Sequence, residues 1–326
     1  MLRVLVTGGA GYIGSHLCKA LAKDGCLPVT FDNLSTGHEE AVRWGPLIKG
    51  DLKDLDLLRK TLRDERIGAV FHLAARAQVG ESMQAPISYL QTNVGGTLNL
   101  LEAMQREDVV DLIFASSCSV YWPIVKGPIR EVYPTSPQNV YGHSKLMAEE
   151  AISWASERLE NNLAAVRLRF FNVAGADPGG ELGEWPTSTR LIPSAIQAAL
   201  GLRPPLPIYG DGSQVRDYVH VHDVALACVE ALAFLHTSDQ SGLGNVGRGK
   251  GYTVAQVLHT VGEILGTPVP CTFELERPGD PTEPLVADIT HTKGFLNWAP
   301  QWSLEEMIND ANAWMTKAVL TEGSIR

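Results

Sequence analysis

Residues 2–14 read Leu2-Arg3-Val4-Leu5-Val6-Thr7-Gly8-Gly9-Ala10-Gly11-Tyr12-Ile13-Gly14. The apolar run at residues 2–6 reads as a buried strand. Residues 12–24 read as a helix with Ile13, Leu17 and Leu21 on one face. Between them Gly8, Gly11 and Gly14 stand at GxxGxxG spacing. Glycine permits a tight strand-to-helix turn, lets a backbone approach a pyrophosphate, and lets the helix lie close to the sheet. The helix N-terminus offers unpaired N–H groups to that anion. A glycine turn is weak evidence alone, but here it sits in the strand-turn-helix context that gives it meaning.

Outward from this turn the first half alternates strands and helices. Strands are expected at 28–31, 47–49, 69–73, 111–115 and 164–170. Helices are expected at 55–64, 87–106 and 141–161. Continuous apolar strands alternating with helices specify a parallel sheet covered on both faces. Beyond about residue 173 the texture is more irregular. Residues 176–185 read as loop, 203–207 are proline-rich, and helices are expected at 191–200, 254–265 and 304–319. The fold expected is α/β: a Rossmann-type doubly wound sheet over residues 1–172, then a smaller mixed lobe over 173–326. About 216–236 is expected to return to the first.

Composition narrows the function. Acidic residues outnumber basic ones 37 to 27, for a net charge of −10, and no Lys/Arg-rich block is present, which argues against nucleic-acid binding. No run of 18 apolar residues suggests a membrane span, and a cytoplasmic protein is expected. Cys18, Cys26, Cys118, Cys228 and Cys271 form no CxxC pair, so neither a disulfide framework nor a zinc site is indicated. His143, His220 and His222 have no partner cluster, and no metal is expected; His220 and His222 read as alternating on a strand.

The second strand runs into Asp32-Asn33-Leu34-Ser35-Thr36-Gly37. An acid at that strand end accepts hydrogen bonds from adenosine ribose hydroxyls and repels a 2′-phosphate, and no Arg or Lys lies within 32–37. The dinucleotide expected is therefore NAD. Asp51, after the third strand, can face the adenine. Tyr141-Gly142-His143-Ser144-Lys145 places Tyr and Lys at i and i+4, on one helix face. A phenol acting as a base near neutrality must acidify by about 3 pH units, about 4 kcal/mol. An adjacent ammonium supplies part of this. The strand at 111–115 ends in Ser116-Ser117-Cys118-Ser119, and strand C-termini face the ligand crevice. A hydroxyl there can hold a substrate oxygen while Tyr141 handles its proton.

Glycine turn, acid after the second strand and Ser ahead of YxxxK resemble the extended short-chain dehydrogenase/reductase superfamily. More narrowly the chain resembles the UDP-glucose (UDP-galactose) 4-epimerase family. The supporting strings lie at 7–15, 32–33, 72–74, 79–82, 93–97, 141–147, 169–172, 175–176, 215–221, 277–280 and 296–298. The resemblance implies tightly held NAD and a redox-neutral inversion at C4 of a UDP-sugar. Tyr141 takes the 4-hydroxyl proton, hydride passes to the nicotinamide and returns to the other face of the 4-keto sugar, Ser117 polarises the C4 oxygen, and Lys145 holds the nicotinamide ribose. Cofactor contacts are implied for Tyr12, Ile13, Asn33, Leu34, Ser35, Thr36, Gly37, Asp51, Leu52, Leu73, Ala74, Ala75, Thr92 and Phe171. On the nucleotide side, Arg216 and Arg277 are implied to clamp the diphosphate, Asp280 to hold the uridine ribose, and Asn172, Arg190 and Leu191 to contact the substrate. A homodimer is implied, formed by residues 87–106 and 141–161 against the same helices of a second chain.

The chain departs from the family at several places. Ala77 replaces a lysine, with Arg76 one place earlier. Trp122 replaces a glycine. Arg190 stands where Asn or His is usual, and Gly210–Gln214 is a short turn where many members have a longer loop. Pro284 or Leu285 replaces a large aromatic, which leaves room for an N-acetyl sugar. Residues 32–38 with Trp44-Gly45-Pro46 also resemble pentose 4-epimerases. UDP-N-acetylglucosamine and UDP-xylose or UDP-arabinose are thus alternative substrates. A 4,6-dehydratase would carry Asp-Glu where this chain has Cys118-Ser119. A non-enzymatic NAD sensor would not need Ser117, Tyr141 and Lys145 together.

Overall fold

The computed structural model describes residues 1–122, 127–158, 163–238, 240–275 and 283–323. The opening run forms β1 (Arg3–Thr7), and the glycine turn delivers the chain into α1 (Tyr12–Lys23). β2 (Leu27–Asp32), β3 (Leu47–Lys49), α2 (Leu55–Asp64) and β4 (Ala69–His72) follow. Next come α3 (Val79–Gln84), α4 (Pro86–Tyr89), α5 (Gly96–Arg106), β5 (Asp111–Ser117), α6 (Val140–Arg158) and β6 (Ala164–Phe170). The second half holds β7 (Asn172–Ala174), α7 (Leu191–Ala199), β8 (Leu206–Tyr209), β9 (Val215–His220), α8 (Val221–Ser238) and β10 (Gly242–Val246). It ends with β11 (Gly251–Thr253), α9 (Val254–Leu265), β12 (Cys271–Glu274), α10 (Thr290–Phe295) and α11 (Leu304–Gly323).

Seven strands form one sheet in the order β10-β6-β5-β4-β1-β2-β3, every pairing parallel. From β1 the chain moves outward to β2 and β3, then returns to β4 on the other side. The reversal opens a crevice at the carboxyl ends of β1 and β4, where ligands bind in doubly wound sheets. Side chains alternate between two cores, as a pleated strand requires. Val4, Val6, Ala69, Phe71, Ile113 and Leu168 pack with α1 and α8; Leu5, Val70, Leu112 and Phe114 pack with α2, α5 and α6. A smaller three-stranded sheet, β11-β9-β7, and the parallel pair β12-β8 carry the remaining strands. They surround a third core of α7, α9 and α11 residues, including Ile196, Val257 and Met307.

The structure corrects two expectations. Residues 87–106 are not one helix: α4 passes through a π-helical turn at Leu90–Gly95 before α5. The wider turn sets Asn93 inward, buried, with consequences for the site. His220 and His222 do not alternate on a strand either, since His220 ends β9 and His222 already belongs to α8. α8 is long and apolar enough to cross a membrane by length and composition, but Val224, Ala227, Cys228, Ala231 and Leu235 of its inner face are buried in the sheet core.

Candidate active site

The glycines are fixed by close contact. Gly8 has φ +73°, and a Cβ there would lie 2.7 Å from the Ala74 nitrogen; one on Gly14 would lie 2.1 Å from the Gly8 oxygen. α1 therefore starts directly beneath the β4 exit. Its N-cap is Gly11, with no side chain to accept the first-turn N–H groups, which Tyr12, Ile13 and Gly14 begin. Such a turn fits a pyrophosphate. Asp32 ends β2 beside it. Its carboxylate accepts from Ala10 N at 3.0 Å and Leu34 N at 2.8 Å, and burial raises its pKa against those bonds. Leu34 takes a left-handed φ of +58°. Asn33 donates to Asp51 at 2.9 Å, and Ser35 N donates back to Asn33. Gly37 packs on Ala10, and Ser35 and Thr36 stay exposed at the rim. Leu52 is buried, while Leu73, Ala74 and Ala75 are half-buried at the end of β4. Thr92 lies on the π-helical turn. The glycine turn, the loop after β2 and the end of β4 lie at the carboxyl ends of neighbouring parallel strands, the place where doubly wound sheets hold a dinucleotide.

β5 and α6 bring the catalytic candidates together. The Ser117 hydroxyl is hydrogen-bonded to the Tyr141 phenol and accepts from Ser119 N at 3.1 Å. Burial holds Tyr141 above its ordinary pKa, while the Ser117 hydrogen bond and the Arg190 charge act the other way. Lys145, one turn along α6, donates to the Ala115 carbonyl at 2.7 Å and lies 4.9 Å from the Phe114 ring centroid. Burial lowers its amine to about 8, against the pull of Glu149. Gly142 allows this approach: a Cβ there would meet the Ser119 oxygen at 2.3 Å.

Several supporting residues escape a local reading of the sequence. His72 links Thr7 at 2.8 Å to Thr97 at 2.9 Å, and burial lowers it to about 3, so it stays neutral between two hydroxyls. Asn93 bonds Arg76 N at 2.8 Å, Arg76 O at 3.0 Å and Ser144 Oγ at 2.8 Å, tying the β4 exit to α6. Glu149 receives Arg169 Nη2 at 2.6 Å and Nε at 2.9 Å, and also the Ser116 hydroxyl. Arg169 Nη1 reaches Tyr121 OH at 2.9 Å, which donates to Asn245 at 2.7 Å. His72, Asn93 and Arg169 fall within strings that carry the family resemblance, but nothing local to them assigns a role.

Beyond Ser117 opens a cavity of about 350 Å³, lined by Asn172, Leu191, Arg216, Tyr218, Trp122 and Leu285 among others. Arg216 Nη1 donates to Val215 O at 2.8 Å and Glu283 O at 3.2 Å. Asn172 is hydrogen-bonded to Tyr218 across β7 and β9. Phe171 is buried with Cys118, Tyr121 and Leu285, under the turn that carries Ser117. Thr189 and Leu191 line the cavity, but the Arg190 side chain lies on the crevice side, over the Tyr12 ring. Arg76 faces Glu81 and the Tyr89 ring. Arg277 and Asp280 lie outside the described residues. Among the described residues no cluster of His, Cys, Asp or Glu is arranged to hold a metal.

A doubly wound sheet, a glycine turn with a capless helix, and a Ser–Tyr–Lys group at the crevice define an enzyme that moves hydride to and from a nicotinamide. The chain belongs to the NAD dependent epimerase/dehydratase family, whose model matches residues 4–247. A UDP-glucose 4-epimerase of Azospirillum brasilense is 44% identical over 321 residues, 96% of this chain and 91% of its own. That of Rhizobium leguminosarum bv. trifolii is 42% identical over 97% of this chain and 98% of its own. The crystal structure of UDP-glucose 4-epimerase from Brucella ovis in complex with NAD superposes with a TM-score of 0.92, at 40% identity, over 96% of this chain and 98% of that one. A Stenotrophomonas maltophila UDP-glucose-4-epimerase with bound NAD and formylated UDP-arabinopyranose reaches 0.93 at 33% identity, over 98% and 100%.

Proposed function

We propose that this protein interconverts the C4 epimers of a UDP-sugar, UDP-glucose and UDP-galactose foremost, using NAD held in the crevice. The observation that carries the reading is the position of Tyr141. Its phenol is bonded to Ser117, whose neighbours Cys118 and Ser119 line the Arg216 cavity, and Lys145 stands four residues along the same helix. Bound NAD supplies a reversible hydride acceptor and a positive charge. Tyr141 takes the proton of the sugar 4-hydroxyl and later returns it. Ser117 donates a hydrogen bond to the C4 oxygen as its charge develops. Lys145, anchored on Ala115 O, keeps a cation beneath the site. Arg216 and Asn172 hold the diphosphate in the cavity, a task suited to a guanidinium fork, with Arg277 and Asp280 completing the nucleotide site. Asp32 holds the adenosine ribose and the glycine turn the pyrophosphate. The division of labour follows the chain in outline: residues 1–172 with 216–236 and β10 build the cofactor side, Asn172 and Arg216 at its edge reach the substrate, and the rest of 173–326 carries the sugar nucleotide.

The test is to incubate the purified protein with UDP-glucose, UDP-N-acetylglucosamine and UDP-xylose, without added NAD, and to analyse the sugars. A C4 epimer of at least one, with no net NADH, is expected. No reaction even with NAD added, and no effect of Tyr141→Phe in any assay, would refute the reading. Leu285, an aliphatic side chain in the cavity wall, favours testing the N-acetyl sugar beside glucose.

A homodimer in the cytoplasm is part of the proposal. Met83, Ile87, Leu98, Met147 and Trp154, on α3 to α6, are 44–64% exposed. Scattered apolar residues are common on surfaces, but these share adjoining helices and suit an isologous helix-on-helix interface. Five unpaired thiols suit a reducing compartment.

A further inference from the structure

Arg190 is the N-cap residue of α7, yet its side chain does not follow that helix into the cavity wall. Its guanidinium carbon lies 5.3 Å from the centroid of Tyr12, the first residue of α1. It is held there by a built turn. Glu184 pairs with Arg190 Nη1 at 3.2 Å and accepts the Ser188 hydroxyl at 2.7 Å, and Ser188 Oγ accepts from Arg190 N at 3.1 Å. The turn is pinned at its start, by two adjacent residues. Trp314 Nε1 donates to Glu184 O at 3.0 Å, and Trp185 stacks on His38 at 3.9 Å. His38 belongs to the loop that follows Asp32, and its N–H donates to Ala10 O within the glycine turn. Segment 184–190 thus crosses from the second half of the chain to the cofactor crevice and presents a cation at the start of α1.

That placement opposes like charges. The N-terminus of α1 carries the positive end of its helix dipole, roughly half a unit charge. Glu184 is the carboxylate paired with Arg190, and Gly11 supplies no side-chain acceptor at the helix start. The arrangement is complete when an anion lies between the helix N-terminus and the guanidinium. We propose that Arg190 is a side-chain ligand of the dinucleotide's pyrophosphate and that segment 184–190 is the strap that delivers it across the crevice. The proposal rests on the cofactor reading of the glycine turn and is independent of which sugar is epimerised. The same guanidinium also lies close enough to Tyr141 to favour its ionised form, so cofactor retention and the catalytic phenol share one cation.

The test uses the purified holoenzyme, whose wild-type NAD content checks the cofactor reading itself. NAD loss after dilution is followed in wild type, Arg190→Gln and Arg190→Lys, and UDP binding is titrated with NAD in excess. Losing a charge-assisted hydrogen bond should speed NAD release roughly ten- to a hundredfold in Arg190→Gln. Arg190→Lys, which keeps charge but not the fork, should fall between. UDP affinity should stay within about twofold. On the stripped proteins, ADP binding should weaken in Arg190→Gln while adenosine binding does not. The melting temperature of stripped Arg190→Gln should match wild type, since Arg190 is surface-accessible. NAD release within about twofold of wild type in both variants would overturn the proposal. So would weakened UDP binding with NAD retained, which would place Arg190 on the substrate's diphosphate.

Discussion

Tyr141 illustrates how far single residues are legible. Its spacing to Lys145 marks a helix face, but that face becomes a site only through contacts from β5, some 25 positions upstream. Tyr141→Phe removes the proton-transfer group and leaves the ring. Epimerisation should fall by roughly 10²–10⁴-fold in kcat with NAD content unchanged, measured by sugar analysis and by cofactor release. Gly142 tests the geometry. Gly142→Ala forces either α6 or the Ser119 carbonyl to give way, because the new Cβ would lie 2.3 Å from it. The cost is about 1–3 kcal/mol of stability, with Ser117 and Tyr141 drawn apart, so kcat should drop while UDP affinity holds. The sequence shows the glycine but not its reason, since the clashing atom lies 23 positions away. Lys145 sets the alkaline limit. Its amine, lowered to about 8, faces Ala115 O, the Phe114 ring, His72 and Glu149. Deprotonation above that value removes the ammonium that the proposed mechanism needs, so kcat should decline as pH rises through about 8; a plateau to pH 9.5 would contradict the role.

Elements were legible where local pattern and tertiary demand agree. β1, α2, β6 and α9 stand within a residue or so of their expected limits because apolar periodicity and burial coincide. α9 also carries a capping box from Thr253 to Gln256 and ends at Gly266 with φ +68°. The π-helical turn was not legible, because nothing in the residues of 87–106 distinguishes one extra residue per turn until Asn93 finds Ser144 and Arg76. β10 was missed for another reason. Gly242 and Gly244 weaken its strand signal, yet added Cβ atoms there would press on Phe295 at 3.0 Å and on Thr292 Oγ1 at 2.7 Å. Packing against α10 demands the glycines that hide the strand. The same helices give a prediction at this scale. Trp154 is 62% exposed on α6, on the same face as Met147 about two turns earlier. Trp154→Glu should place a charge at the centre of the proposed interface and shift the protein to monomer in sedimentation velocity, with the cofactor retained. A wild-type monomer at micromolar concentration would remove the dimer from the proposal.

Across the whole molecule, buried polar groups that hold the crevice also tie stability to pH. His72 and His16 are both buried, and burial lowers their rings to about 3 and about 4. His72 spans β1 and α5 through Thr7 and Thr97, and His16 bonds the Tyr12 carbonyl at 2.7 Å within α1. Above pH 6.5 these rings are neutral in both folded and unfolded chains, and they add no pH dependence. As pH falls below 6.5 the unfolded chain takes up protons that the folded one refuses, so stability declines until the folded values are reached. Each ring contributes a slope of about 1.4 kcal/mol per pH unit. Asp217 works in the opposite direction. Its carboxyl, raised to about 6 by burial although it accepts from Arg248, Gly249 and Ala287, takes up a proton in the folded state first and gains stability as pH falls toward 4. Two rings against one carboxyl leave a wild-type slope of about 1.4 kcal/mol per pH unit from these groups, and a single variant isolates one ring. His72→Gln deletes one titrating ring from the fold, so its stability should fall with acid less steeply than wild type between pH 6 and 4.5. The difference in slope should be about 1.4 kcal/mol per pH unit, read from urea unfolding. Parallel slopes would mean that His72 is protonated in the folded protein, and the neutral Thr7–His72–Thr97 bridge that joins the end of β4 to β1 and α5 would have to be abandoned.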